Sequence, residues 1–508
     1  MADTAISAPL ATQREWIGLG ILSIACLIYS MDLSVLFLAI PAIVADLQPG
    51  AAEVLWINDI YGFMVAGFLV TMGTLGDRIG RRKILLIGAA AFGAASVLVA
   101  ISTSAQMMIF ARALQGIAGA TIAPSTLSLI VNMFRDENER NRAIGIWGTA
   151  FSVGGLIGPV IGGVLLEYFH WGSVFLINVP IMLALLAAAP FLLPEYKSGT
   201  AGRLDLASVA LSLASVLPVI YGLKVIAAYG ASTEPLVAIG FGLVFGALFI
   251  RRQRALVDPM IDLALFRIPA FNASLLVNLA GVFFVFGIWF FQNQYLQLVL
   301  GLSPLHAGLW SLIPSLVFTY MSLNAWKVTG RFGATRSVVW GLVIFAAGAV
   351  LMGVSSWAQS LYGILGSSMI IGLGFVPVIL TTTGLIVGAA PPERAGAASA
   401  ISETSAEFGG ALGVALLGSM AAFIYRAMMA TVSIPESAAA AGKSTLGGAV
   451  EEAKKLPAGT DKAFLDTARD AFATGFAATC LVAAAALLLL AWVAARVYAA
   501  SDVKVAAH

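Results

Sequence analysis

Glu403 and Glu407 stand four residues apart in "ISETSAEFGG", inside a Gly/Ala-rich apolar stretch that continues to Phe423. On a helix this spacing puts both acids on one face, about 6 Å apart along the axis. Desolvation and mutual repulsion disfavour the state in which both are ionised. Such a pair either binds and releases a proton, with a cation able to replace it as counter-charge, or is held by hydrogen bonds and never titrates. Asp32 in "MDLSVLFLAIP", Asp59 in "LWINDIYGF" and Arg112 in "ARALQGIAGA" are embedded in equally apolar sequence. Asp32 and Arg112 are expected at similar depth, paired directly or through water. Their pairing is then either a structural ion pair or a means of coupling Asp32 protonation to conformation.

The elements that carry these charges follow from composition. The chain has 508 residues, is 60% hydrophobic and only 11% charged, with a mean hydropathy of +0.95. A soluble domain carries roughly 25% charged residues. The chain is therefore expected to be an integral membrane protein, and helical, because its apolar runs are far too long for barrel strands. Ile268–Trp326 and Ser337–Pro392 contain no Asp, Glu, Lys or Arg, and each is long enough for two spans. Dividing the long runs at Gly, Pro and Ser turns predicts fourteen spans. Most of the 28 Lys and Arg fall on the side of the termini, including Arg78, Arg81, Arg82, Lys83, Arg135, Arg140 and Arg142. The positive-inside rule makes that side cytoplasmic.

The net charge of +2 comes with no polybasic tail, so no nucleic-acid partner is expected. Met1–Arg14 lacks a basic leader region and a small-residue cleavage site, so no removable signal is expected. Cys26 and Cys480 fall in spans at opposite ends of the chain, and the three histidines form no cluster. Neither a disulfide, a metal nor a cofactor is expected.

"GTLGDRIGRRKILLIG" (73–88) after span two and "TGRFGATRSVVWG" (329–341) after span ten share a spacing. Arg78, Gly80 and Gly88 match Arg331, Gly333 and Gly341. Parallel repeats with a site between them are a transporter architecture. The expected organisation is a six-helix bundle over residues 1–200, two inserted helices over 201–264 and a second six-helix bundle over 265–508. Residues 427–470 alternate acids and bases at helical spacing and are read as an external helical hairpin, either a solvated connector or a cover over an external vestibule.

Four motifs in order resemble the major facilitator superfamily over essentially the whole chain, and within it the fourteen-span drug:proton antiporters. Gly73, Asp77, Arg78, Gly80 and Arg81 resemble the family's loop between spans two and three, which acts as a conformational latch. There the arginines can pair with carboxylates across the bundle interface. "ARALQGIAGA" (111–120) resembles the span-four signature centred on a buried arginine, here Arg112. Gly154, Gly158, Pro159, Gly162 and Gly163 have the spacing of the span-five antiporter motif. "MDLSVLFLAIP" (31–41) resembles the span-one signature but has Phe37 where the family often has Asn. The resemblance implies a transporter and not an enzyme.

A charge at mid-bilayer costs roughly 2.5–3.5 kcal/mol on insertion scales. The charged spans are one, two, four and thirteen, and in the family the corresponding spans line the central cavity. Asp59 sits about 9–11 Å from the outer end of span two. There it either binds cations in a vestibule or has a snorkelling or capping role, and an acid at this position resembles the quaternary-ammonium branch. Tyr61 follows it. In span nine, Trp289, Asn293 and Gln297 share a face at i, i+4, i+8 and are expected to line the cavity. Some relatives carry an acid in span ten; here Ser311, Ser315, Thr319 and Ser322 stand instead.

The expected protein is a bacterial inner-membrane antimicrobial-resistance transporter, monomeric, with both termini cytoplasmic. It exports lipophilic cations such as quaternary ammonium biocides and cationic dyes. Asp32, Arg112, Glu403 and Glu407 would couple protons, and Asp59, Tyr61, Trp289, Asn293, Gln297 and Glu407 would bind substrate. The alternatives are a transporter of a physiological solute (an organic acid, siderophore or lipid) and a membrane enzyme or receptor.

Overall fold

The computed structural model describes residues 10–197, 205–229, 232–256, 259, 263, 265–389, 395–430, 432, 442–454 and 460–500. These residues are almost entirely helical. The first six long helices are α1 (Gln13–Leu47), α2 (Ala51–Ile79), α3 (Arg81–Ala100), α4 (Ala105–Met133), α5 (Glu137–Tyr168) and α6 (Ser173–Leu192). The inserted pair is α7 (Leu206–Tyr229) and α8 (Thr233–Ala255). The second set is α9 (Pro269–Gln294), α10 (Pro304–Phe332), α11 (Ala334–Trp357), α12 (Leu361–Gly388), α13 (Ala395–Ala430) and α15 (Thr460–Ala500), with the short α14 (Leu446–Ala453) before the last. Twelve of the described helices are long and apolar enough to cross a membrane. The shorter apolar stretch Leu206–Gly222 in α7 and the 29-residue α10 bring the long helices to fourteen.

Local chemistry starts and stops these helices. Thr12 caps α1 with Glu15 in a reciprocal capping box, and the Gly50 N–H donates to Glu53 Oε2 (2.8 Å) at the start of α2. Gly80 (φ +117°) and Gly333 (φ +80°) each join a long helix to the next, α2 to α3 and α10 to α11, in backbone that other residues rarely adopt. About two turns further the repeat recurs in packing. A side chain at Gly88 would overlap Thr121 of α4, and one at Gly341 would meet the Gly374 carbonyl of α12 at 2.8 Å.

The same pairings recur in both halves. α1 packs on α5, α2 on α4 and α3 on α6; correspondingly α9 packs on α13, α10 on α12 and α11 on α15. The structure is an all-α arrangement of two six-helix bundles, with α7 and α8 packed on each other and α7 against both α2 and α13.

The bundles meet along two symmetry-related seams, α2 with α13 and α5 with α10. Their close contacts lie at the end opposite the Arg78–Lys83 loop. Gly418 abuts Leu55, Gly308 abuts the Pro159 carbonyl and Gly163 abuts Pro304. Gln297 Nε2 donates to the Leu38 carbonyl (2.9 Å), and the Leu305 N–H points to Glu167 Oε2 (3.4 Å).

The hairpin expected over 427–470 comprises α14 and the first turns of α15. No break separates those turns from the last span, so helix α15 begins at Thr460, well before the apolar run that opens near Ala471. Residues 431, 433–441 and 455–459 of that segment lie outside the described residues. α14 rests on the tip of α1, with Gly447 against Val44.

Candidate functional site

Asp32 and Arg112 form a direct ion pair inside the first bundle, with Nη1 to Oδ2 at 2.7 Å and both side chains sealed from solvent. Neutral groups complete the cage. Asn178 Nδ2 (2.9 Å) and Gln115 Nε2 (3.1 Å) donate to Asp32 Oδ1, and Arg112 Nη1 also donates to Gln115 Oε1 (2.8 Å). Ser96 Oγ accepts from both Gln115 (3.0 Å) and Asn178 (3.2 Å), drawing α3 into the network. The Arg112 guanidinium lies 4.5 Å from the centroid of the Tyr61 ring and 5.8 Å from that of Phe175. Its Nε and Nη2 have no hydrogen-bond partner among the described residues. A buried charge in this setting is held by one carboxylate, one amide and aromatic faces.

The glycines of "ARALQGIAGA" bring Tyr61 to this place. A side chain at Gly116 would meet the Tyr61 carbonyl at 2.5 Å, and one at Gly119 would meet the Tyr61 hydroxyl at 2.9 Å. Tyr61, expected at the substrate, is therefore fully buried against Arg112 and lines neither chamber described below.

Between the bundles lie two adjoining chambers. The larger, about 270 Å³, is bounded by α1, α5, α9, α10 and α12. Trp289, Asn293, Phe318, Ser315 and Thr319 are among its walls. The smaller, about 180 Å³, is bounded by α1, α2, α9 and α13, and Asp59 and Asn58 supply its polar groups. Leu33, Phe37 and Phe286 belong to both walls and so separate the chambers. Asp59 is the one ionisable residue among the described residues lining either chamber. Asn58 Nδ2 donates to its Oδ1 (3.2 Å).

Of the span-nine set, Trp289 and Asn293 line the larger chamber. Gln297 does not. The helix widens into a π-turn over Tyr295–Val299, which turns Gln297 toward the Leu38 carbonyl of the other bundle. Glu403 and Glu407 belong to α13, but their side chains lie outside the described residues. Ala406, Gly410 and Val414 of the same helix line the Asp59 chamber.

The antiporter-motif residues divide their work between two neighbours. Side chains at Gly154 and Gly158 would overlap the Leu27 carbonyl and Ser34 Oγ, and one at Gly162 would meet Val35 at 2.9 Å, all on α1. Pro159 and Gly163 instead face Gly308 and Pro304 of the second bundle. In the loop after α2, Arg81 pairs with Asp77 (2.6 Å) and Arg82 binds the Glu195 carboxylate and the Leu193 carbonyl. These partners are all in the first bundle. The pairing expected across the bundle interface is not made by Arg81 or Arg82, because the bundles are clasped at the other end. Arg78 is exposed. Among the described residues Gly73 has Pro124 Cβ alone within reach, at 3.9 Å, whereas a side chain at Gly80 would overlap Glu195.

Gln115, Asn178 and Ser96 were not singled out from sequence, and neutral polar residues in apolar spans are too common to stand out. The Gln115 position, one helical turn after Arg112, was the available signal.

Residues 22–414 match the Major Facilitator Superfamily. The chain belongs to that superfamily. It is a membrane transporter and not an enzyme. It is 41% identical to the multidrug efflux pump LfrA of Mycolicibacterium smegmatis, over 94% of each chain. It is 33% identical to the methyl viologen resistance protein SmvA of Salmonella typhimurium, over 94% of this chain and 97% of that one. In fold it is similar to a bacterial homolog of the human lysosomal transporter Spinster solved in an inward-facing, unoccupied conformation. The TM-score is 0.71 at 15% identity, covering 97% of this chain and 99% of that one.

Proposed function

We propose that this superfamily member is a proton-coupled multidrug exporter of lipophilic cations, including quaternary ammonium biocides and cationic dyes. The observation that carries this reading is Asp59. It is the one ionisable group among the described residues lining two otherwise aromatic and neutral chambers between the bundles. A carboxylate in a chamber walled by Phe37 and Phe286, with Trp289 in the adjoining one, suits a flat or greasy cation, since aromatic faces attract positive charge. The names of the relatives, an efflux pump and a resistance protein, agree with it. An anionic solute would require a basic lining group. Among the described residues Arg112 is the basic residue fully sealed from solvent, and it is enclosed behind Tyr61.

In this account the basic end of the bundles faces the cytoplasm, so both termini are cytoplasmic. The clasped end is external, and the chambers receive substrate from inside. Protons enter from outside onto Asp32 and Glu407, with Glu403 as a relay nearer the cytoplasm. Their arrival releases the bound cation outward. Asp32 acts through its cage: protonation removes the charge that Arg112, Gln115 and Asn178 grip, which loosens α1 from α4 and α6. Glu407 and Glu403 sit seven residues before Val414 and Gly410 on α13, in helical register with two residues of the Asp59 chamber. The Arg78–Lys83 loop serves as the conformational latch in the opposite state.

The test is efflux of a monovalent fluorescent cation in energised inverted vesicles. Transport should collapse when a protonophore dissipates the gradient, and Glu407→Gln should abolish it with expression kept. Uptake indifferent to the protonophore would remove the proton coupling. Wild-type transport by Glu407→Gln would remove that residue from the site.

A further inference from the structure

No described residue lining the larger chamber is ionisable, yet its hydroxyls are aligned. On α10, Ser311, Ser315 and Thr319 recur at every fourth residue and all face the chamber. Each spends its proton on the carbonyl one turn back: Ser311 to Ala307 (2.8 Å), Ser315 to Ser311 (2.8 Å) and Thr319 to Ser315 (3.0 Å). Across the chamber on α1, Ser30 donates to the Phe151 carbonyl (2.7 Å) and Ser34 to the Met31 carbonyl (3.0 Å). A carbonyl has no proton to give, so in each contact the hydroxyl is the donor. A hydroxyl has one proton and two lone pairs. Once the proton is committed, only acceptor capacity remains for anything in the chamber. Asn293 and Gln292 are mixed: one Asn293 N–H donates to the Trp289 carbonyl (3.0 Å) and the Gln292 oxygen accepts from Ser368 (2.8 Å), so the amides keep donors and the acceptor character is that of the hydroxyls.

We propose that this acceptor-rich face makes the larger chamber select cations that carry N–H donors, such as protonated amines and amidines. Quaternary cations of equal charge and similar size bind there more weakly. Ser315 and Thr319, successive rungs of the ladder, are the specificity-determining residues. A quaternary centre can use the aromatic faces and the Asp59 charge but has no proton to offer the ladder. The inference rests on the cation reading above and deepens it.

The probes are decyldimethylammonium and decyltrimethylammonium ions at pH 7, where the tertiary amine is protonated. They differ by one N–H against one N–CH3. Each competes with radiolabelled tetraphenylphosphonium for the purified full-length protein in lipid nanodiscs. The tertiary ion should bind about tenfold more tightly, as expected for a charge-assisted hydrogen bond. The near-isosteric pair Ser315→Ala and Thr319→Val should bring that ratio close to one, by weakening the tertiary ion more than the quaternary one. Should the double variant bind neither ion, Thr319→Val alone, measured the same way, decides. Equal affinities in the unaltered protein, or a ratio that survives the substitutions, would overturn this inference and leave the cation reading standing. If neither ammonium ion displaces the probe, the cation reading falls and the inference with it.

Discussion

Phe37 of α1 stands edge-on to Phe286 of α9, with ring centroids 6.2 Å apart and planes at 72°. One ring comes from each bundle, and both belong to the wall between the two chambers. Phe37 also meets Phe290 edge-on at 6.3 Å. The wall therefore exists only while the bundles keep this relative position. An aromatic pair contributes about 0.5–1.5 kcal/mol beyond area burial. Phe37→Ala should merge the chambers, so long bis-cations gain affinity and compact monovalent dyes lose it, each by about threefold or more. Parallel displacement titrations with the two ligand classes check this. Equal shifts for both would show that Phe37 packs without partitioning.

Removing one member of a buried ion pair strands the other charge, at about 3–5 kcal/mol. Arg112→Met alone should therefore lower the thermal unfolding midpoint sharply, because the buried Asp32 loses the partner that balances it. Asp32→Asn combined with Arg112→Met should recover most of that stability and none of the transport. Thermal unfolding of the purified variants, set beside vesicle efflux, separates the two effects. Recovered transport in the double variant would make the pair purely structural.

The seam between α5 and α10 closes on backbone, with Gly308 pressed on the Pro159 carbonyl. A backbone contact has no flexible end that can swing aside. Gly308→Leu should hold that end of the bundles apart and favour the opposite conformation. A cysteine placed at Ser315 should then lose labelling by a bulky maleimide applied from the basic end and gain it from the other. Unchanged labelling from both sides would mean the seam does not report the transport state.

Asp205, outside the spans, anchors the inserted pair. Burial would raise its pKa, but hydrogen bonds from Arg252 and Ser208 outweigh burial and hold it at about 2, below the ordinary 3.8. The Arg252–Asp205 pair is 2.7 Å long and joins the basic ends of α7 and α8. A depressed carboxyl stabilises the folded state above its unfolded pKa and loses that contribution as pH falls through the folded one. Hydrogen exchange across α7 and α8 should therefore speed up as pH drops from about 4 toward about 2, after correction for intrinsic rates. Asp205→Asn should show no such step. A step of equal size in that variant would place the titrating group elsewhere.

Much of the fold was legible because a bilayer restricts the choices. Apolar runs such as Ile268–Trp326 can only be helices, and the Gly80/Gly333 and Gly88/Gly341 matches marked backbone sites that do the same work twice. The Asp32–Arg112 contact was legible because two opposite charges in apolar sequence must find each other. The cage around them was not, since Gln115, Asn178 and Ser96 carry no charge that demands a partner. Tyr61 was misplaced because its neighbour Asp59 faces a chamber, and two positions along a helix turn a side chain to a different face. Gln297 was misplaced because counting i, i+4, i+8 assumes an unbroken α-helix, and the π-turn at Tyr295–Val299 shifts the register.

The central claim is that cation and proton compete within one protein. It is tested most directly by adding tetraphenylphosphonium to the purified transporter in weakly buffered solution and measuring the proton release. The account predicts release in proportion to bound cation, lost in Glu407→Gln. Saturable cation binding with no proton released would contradict it.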